Sequence, residues 1–293
     1  MTGRTNPAAG ATPAGPPDIP AAAPASVLRV QMISDLHVDV ADTRALKLAP
    51  GADLVVVAGD TCAGAATALA TLRRHIPAPV PIVTVLGNHE HYGSTIEHEL
   101  DRAREAAAHL DITLLEDEVA EIRGVRFLGC TLWTSYTLFG ARHRAVAMAA
   151  ALRGMNDHRA ITIGRGSERQ RFLPADAAAL HAASVRFLDT TLALPFEGPS
   201  VVVTHHAPHP VCIAPRFGRD PLSASFASDL SALIDARQPA CWISGHTHHA
   251  VDTRLGATRL VSNPHGYPGE CRDSFDPALV IEIPLAPRGE ECP

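Results

Sequence analysis

Five times along this chain a short apolar run stops abruptly at a turn carrying Asp, Asn or His. Val27–Ile33 ends in Ser34-Asp35-Leu36-His37, Leu54–Ala58 in Gly59-Asp60, and Pro81–Leu86 in Gly87-Asn88-His89-Glu90. Later, Val201–Thr204 ends in His205-His206, and Cys241–Ser244 in Gly245-His246-Thr247-His248-His249. Runs of this length, rich in β-branched residues and closed by Gly or a polar turn, read as buried strands. In α/β proteins, ligands gather just beyond the carboxyl ends of such strands. The pattern therefore constrains both the fold and the place where chemistry would sit.

The stretches between these runs fill in an α/β chain. Ala65–His75, stopped by Pro77, and Thr95–His109 read as helices, and so does Ala224–Asp235. Ile112–Leu115, Glu118–Ile122 and Val125–Cys130 read as short strands, the last two joined at Gly124, and Thr258–Ser262 and Leu279–Ile283 as closing strands. Early strand–helix alternation predicts parallel pairing and the later tight turns predict antiparallel pairing, so mixed sheets with helices outside are expected. Residues 131–194 differ in character. They hold eight Arg against four acids, with Trp133, Tyr136 and Phe139 interspersed, and read as a helical insertion capping the strand ends. The expected organisation is an Ala/Pro-rich leader at 1–25, one domain at 26–287 and a tail at 288–293.

Composition removes several function classes. The formal net charge of −6 gives no global basic excess for a stable nucleic-acid partner. No run of about 18 apolar residues predicts a membrane span, and no apolar stretch follows Arg4 as a signal peptide requires. The six cysteines form no C-x-x-C pair, which fits reduced thiols and a cytoplasmic location.

The strand ends together offer Asp35, His37, Asp60, Asn88, His205, His246 and His248. Carboxylate, imidazole and amide oxygen suit Mn, Fe, Zn, Ni or Mg, and the absence of Cys from the set argues against a closed structural zinc site. In Asp35-x-His37 and His246-x-His248 the donors are two apart, which in extended chain puts them on one side. An isolated Asp after Gly suits a bridge between two ions, and Asp60 fits that role. Two ions about 3.5–4 Å apart would clamp a phosphoryl oxygen and lower the pKa of a bridging water toward about 7, giving a hydroxide that attacks phosphorus in line. Each element alone is weak, since Gly-Asp is commonplace at turns. Their joint occurrence, always at strand ends, is not.

Asp35-x-His37, Gly59-Asp60, Gly87-Asn88-His89-Glu90, His205 and Gly245-His246-x-His248 resemble the signature of the calcineurin-like metallophosphoesterases. The resemblance implies a four-layer α-β-β-α sandwich with two mixed sheets and a dinuclear site at the strand ends. It implies Asp35, His37 and His248 on one ion, Asn88, His205 and His246 on the other, Asp60 between them, and His89 as the acid that protonates the leaving group. Two divalent ions, Mn first among them, are the expected cofactors, and a small phosphate ester is the expected substrate. The Asp-Arg-Gly that follows Gly-Asp in the protein phosphatases of this superfamily is missing, because Thr61-Cys62-Ala63-Gly64 stands there. A phosphodiester or nucleotide-type substrate therefore ranks ahead of a phosphomonoester of a metabolite or phosphoprotein. A non-catalytic scaffold of the same fold is the alternative of another class. The metallo-β-lactamase pattern His-x-His-x-Asp-His fails, since His249-Ala250-Val251 follows His248. Substrate contacts are expected from the capping segment, with Asn156, His158 and Arg159 as candidates, while the aromatics there fit either its core or the walls for a flat group. Asn263-Pro264-His265-Gly266-Tyr267 follows a late strand and is similar to loops near the metals in calcineurin-like relatives, but an ordinary Pro/Gly turn is the first reading.

Overall fold

The β-branched runs become strands because period-two side chains can be buried on both faces at once. The computed structural model describes residues 27–40, 47–271 and 273–286. The expected leader at 1–25 and tail at 288–293 lie outside them. In chain order the strands are β1 (Val27–Ile33), β2 (Leu54–Ala58), β3 (Ile82–Val85), β4 (Thr113–Leu114), β5 (Glu118–Ile122), β6 (Val125–Cys130) and β7 (Thr162–Ile163). They continue with β8 (Gln170–Arg171), β9 (Ser200–Thr204), β10 (Cys241–Ile243), β11 (Val251–Leu255), β12 (Thr258–Ser262) and β13 (Val280–Pro284). The helices are α1 (Ala65–His75), α2 (Ile96–Leu110), α3 (Arg144–Gly154), α4 (Asp157–Ala160), α5 (Pro174–Leu192) and α6 (Ser231–Arg237).

One sheet has the order β13-β1-β2-β3-β4, and the other β11-β12-β10-β9-β6-β5. Neighbours at the centre of each are parallel, while β13, β11 and β5 pair antiparallel at the edges. Leu54, Val56 and Ala58 of β2 point into the space between the sheets, where they meet Phe127 and Val203. Val55 and Val57 of the same strand point the other way, onto Leu69 and Leu72 of α1 and Ala103 of α2. On the far side Leu128, Val202 and Trp242 pack beneath Leu188 of α5 and Ile234 of α6. These are the four layers of an α-β-β-α sandwich. Among the described residues no helix is long and apolar enough to cross a membrane, and the cysteines are buried free thiols.

Two expectations are corrected here. The helix expected over Ala224–Asp235 begins only at Ser231. Phe226 O accepts from Ala207 N at 3.1 Å, Ser228 N donates to Ala207 O at 3.0 Å, and Leu230 N to Pro208 O at 2.9 Å. This pairing with the chain after β9 takes the backbone groups that a helix would have used. β11, whose half-buried alternation gave no clear apolar run, was not expected and forms by pairing along the whole of β12. Within 131–194, Trp133, Tyr136 and Phe172 are buried in a small core with Ala147 and Ala151 of α3 and with Ala207, Cys212, Ala224 and Ala227 of the chain after β9, so these aromatics join the segment to the rest of the domain. All eight of its arginines are exposed.

Candidate active site

The turns beyond β1, β2, β3, β9 and β10 meet at one edge of the sandwich. Their fit depends on glycine. A Cβ on Gly59 would lie 2.6 Å from His205 Nδ1, and one on Gly87 would lie 2.1 Å from Asp60 Oδ1. The donors do not converge through extended chain, as the two-residue spacing suggested. Asp35, His37, Asp60, His246 and His248 all have φ between 44° and 66°. This left-handed conformation costs roughly 1–3 kcal/mol per residue and is kept where packing enforces it. The strained turns, rather than strand alternation, aim the side chains inward.

The donor atoms form overlapping groups. Asp35, His37 and His248 bring ligand atoms within 4.8 Å of one another, as do Asp60, His205 and His246, and also His37, Asp60 and His89. Asp60 Oδ2 stands between the groups, 3.7 Å from His37 Nε2, 3.4 Å from His205 Nε2 and 3.9 Å from His89 Nε2. Asn88 Oδ1 is 3.0 Å from His205 Nε2, which is also 3.1 Å from His246 Nδ1. On the other side His37 Nε2 and His248 Nε2 are 3.1 Å apart. All seven residues expected as ligands are thus within one cluster.

The chemistry of the cluster fits cations. His205 Nδ1 donates to Ala58 O at 2.8 Å, so in the neutral imidazole the Nε2 lone pair faces the Asn88 carbonyl oxygen. His248 Nδ1 contacts the Glu270 carboxylate, which turns its Nε2 lone pair toward Asp35 and His37. Acceptors that face acceptors need a positive charge between them. The buried Nε2 of His246 has no partner among the described residues. Burial opposes a charged His205, yet the Asp60 carboxylate overrides it and raises the pKa to about 10. Burial opposes a charged His248 too, yet Asp35 and then Glu270 raise it to about 9. Divalent ions bound by neutral imidazoles would meet the same demand.

Several residues support this cluster that the sequence did not single out for a role. The Glu90 carboxylate accepts from the N–H groups of Asp60 at 3.0 Å, Thr61 at 2.6 Å and Gly87 at 2.7 Å, fastening the β2 and β3 turns together. The Asn263–Tyr267 stretch, expected as an ordinary turn, is tied to the β1 turn by His265 N to Ser34 O and Gly266 N to Asp35 O, both 2.9 Å. This places Tyr267 Oη 3.0 Å from His89 Nε2. His89 is stacked on its other side by Tyr92, with centroids 4.3 Å apart.

A cavity of about 330 Å³ opens from Asp60, Asn88, His89, His246 and His248. Its far walls include Met155, Phe217, Leu222 and Phe226, and among the described residues Arg216 is its one Arg or Lys. Of the substrate contacts expected from the sequence, Asn156 lines it. His158 does not. It is buried against Phe172, whose carbonyl its Nδ1 contacts at 3.1 Å. Arg159 does not line it either and bonds Arg153 O and Asn156 Oδ1. The cavity's arginine comes from the irregular chain after β9, where no periodic pattern marked it.

The profile of the calcineurin-like phosphoesterases matches residues 28–250. An uncharacterised protein of Acanthamoeba polyphaga mimivirus is 24% identical over 216 residues, or 69% of this chain and 73% of that protein. The fold is similar to the crystal structure of a phosphopantetheinyl hydrolase from Mycobacterium tuberculosis, with a TM-score of 0.65 and 20% identity over 90% of this chain and 98% of that one. With the family match covering most of its length, this chain belongs to the calcineurin-like phosphoesterase family and is a metal-dependent phosphoric ester hydrolase.

Proposed function

We propose that the chain hydrolyses phosphodiesters of small organic molecules at a dinuclear metal centre. The observation that carries this reading is the cavity beside the ligand cluster: apolar at its far end, and supplied with Arg216 against Asp220 and Glu270. A doubly charged phosphomonoester calls for more cationic contacts than that. A singly charged diester with an organic arm suits the lining better, because the apolar walls shelter the arm. The similar fold of a phosphopantetheinyl hydrolase supports the same class. A phosphopantetheinyl ester is a phosphodiester bearing a long amide arm.

Asp35, His37 and His248 would hold one ion, Asn88, His205 and His246 the other, with Asp60 shared between them. Two divalent ions would supply there an activated water and Lewis acids for the phosphoryl oxygens. His89 is the general acid: it lines the cavity with its side chain 14% exposed and, unlike the equally open His248, stands outside the seven-residue ligand set. Tyr92 and Tyr267 hold its ring between them. The 131–194 segment caps the site by lending Met155 and Asn156 to the wall. N and O donors of this kind accept several ions, and Mn is the first to test.

The test compares bis-p-nitrophenyl phosphate with p-nitrophenyl phosphate, using Mn-loaded protein and Asp60→Asn as control. Faster diester cleavage that is lost in the control is expected. Faster monoester cleavage would overturn the substrate class. Turnover unchanged by Asp60→Asn would overturn the dinuclear assignment, and cleavage of neither ester by loaded protein would return the scaffold alternative.

A further inference from the structure

One buried carboxylate of the 131–194 segment bonds a residue of the ligand cluster, and the chemistry above does not use it. Asp157 opens α4 and is 4% exposed. Its Oδ1 accepts from Asn88 Nδ2 at 2.8 Å and from Tyr92 Oη at 2.8 Å. A carboxylate so enclosed is costly unless its bonds do something that a neutral group could not.

An Asn amide has an oxygen at one end and two N–H groups at the other, and only the oxygen can ligate a cation. In the ligating state, where His205 is a neutral imidazole, the local hydrogen bonding would by itself choose the wrong end. With its Nδ1–H committed to Ala58 O, His205 presents a lone pair 3.0 Å from Asn88. A flipped Asn88 would give that lone pair an N–H and close the ligand site. The same flip would press the amide oxygen against the Asp157 carboxylate, which can accept but not donate. That repulsion acts at 2.8 Å in a buried setting, where it is poorly screened.

We propose that Asp157 is a positioning residue of the metal centre: its carboxylate forbids the flipped amide and so keeps the Asn88 oxygen aimed into the ligand cluster. Residues 131–194 thereby reach the metal site through one hydrogen bond, from a helix that touches no ion itself. The inference rests on Asn88 being a ligand in the dinuclear reading.

Asp157→Asn tests it without changing shape. An amide at 157 can turn with Asn88 and accept either orientation, so the fold keeps its hydrogen bond and loses only the bias. Mn binding to the stripped full chain is measured by calorimetry, beside the Mn concentration for half-maximal diester cleavage. One of the two Mn sites is expected to weaken about 10- to 100-fold, as when outer-shell partners are lost, with little change in the melting temperature of the stripped protein. Adding Asn88→Asp should restore binding, because a carboxylate offers oxygen either way round. Wild-type Mn affinity in Asp157→Asn, or no recovery in the double variant, would overturn the inference. Wild-type protein that takes up fewer than two Mn would sink the dinuclear reading itself, a result read before any variant is compared.

Discussion

Gly87→Ala is the smallest change that should disable the site. The added methyl carbon would stand 2.1 Å from Asp60 Oδ1 and 2.6 Å from Asp60 N. Carbon and oxygen need about 3 Å even in tight contact, so roughly 1 Å of displacement is forced between the β2 and β3 turns. Neither turn can yield freely, because Glu90 fastens both through N–H bonds. Overpacking of this kind costs about 1–3 kcal/mol, or roughly 2–5 °C in melting temperature at this chain length. The functional cost should be larger, since a misplacement of about 1 Å can remove about 100-fold in rate. Gly124→Ala is the matched comparison. Its φ is 78° and nothing lies within 4 Å of the added carbon, so it bears backbone strain without the clash. Melting curves, Mn affinity and kcat on bis-p-nitrophenyl phosphate for both variants provide the assay. Both should lose stability and only Gly87→Ala should lose Mn affinity and kcat. Gly87→Ala protein with Mn affinity and kcat within about threefold of wild type, well inside that 100-fold, would refute the argument that close approach of the two turns sets the position of Asp60.

Three further outcomes are expected. His89→Ala should keep both metals yet lose about 100-fold or more in kcat, most on esters with poor leaving groups; loss of bound Mn would instead make His89 a ligand, as its place beside His37 and Asp60 allows. Arg216→Ala should raise KM for anionic diesters about tenfold while kcat changes less, a split read from steady-state kinetics. Burial holds His181 neutral in the fold, below its ordinary value of 6.5. The unfolded chain therefore binds the extra proton as pH falls through 6.5, and stability falls with it by up to about 1.4 kcal/mol per pH unit. Urea unfolding between pH 7.5 and 5 should show a shallower decline in His181→Gln, and equal slopes would refute the assignment.

The sequence by itself determined most of the strands and brought the candidate donors into view. β1, β2, β6 and β12 run between the residues where their apolar runs begin and end, because burial on both faces of a strand inside the sheet leaves a continuous local signal; the edge strand β5, half-buried in alternation, was marked instead by its tight turn at Gly124. The seven candidate donors cluster for a related reason: each follows such a strand closely, so its place at the sheet edge is inherited from its neighbours in the chain. What the sequence could not decide is contact between stretches far apart. Asp157 meets Asn88 across 69 positions, and Tyr267 meets His89 across 178. No periodicity marks either pair. The left-handed turns at Asp35, His37, Asp60, His246 and His248 belong to the same category, since each residue would relax to ordinary backbone if the other turns were not packed against it. Even the helix expected at Ala224 gave way to pairing with Ala207. Local propensity is worth tenths of a kcal/mol per residue, whereas an unpaired buried backbone group costs about 1–3 kcal/mol, so tertiary pairing decides wherever the two disagree.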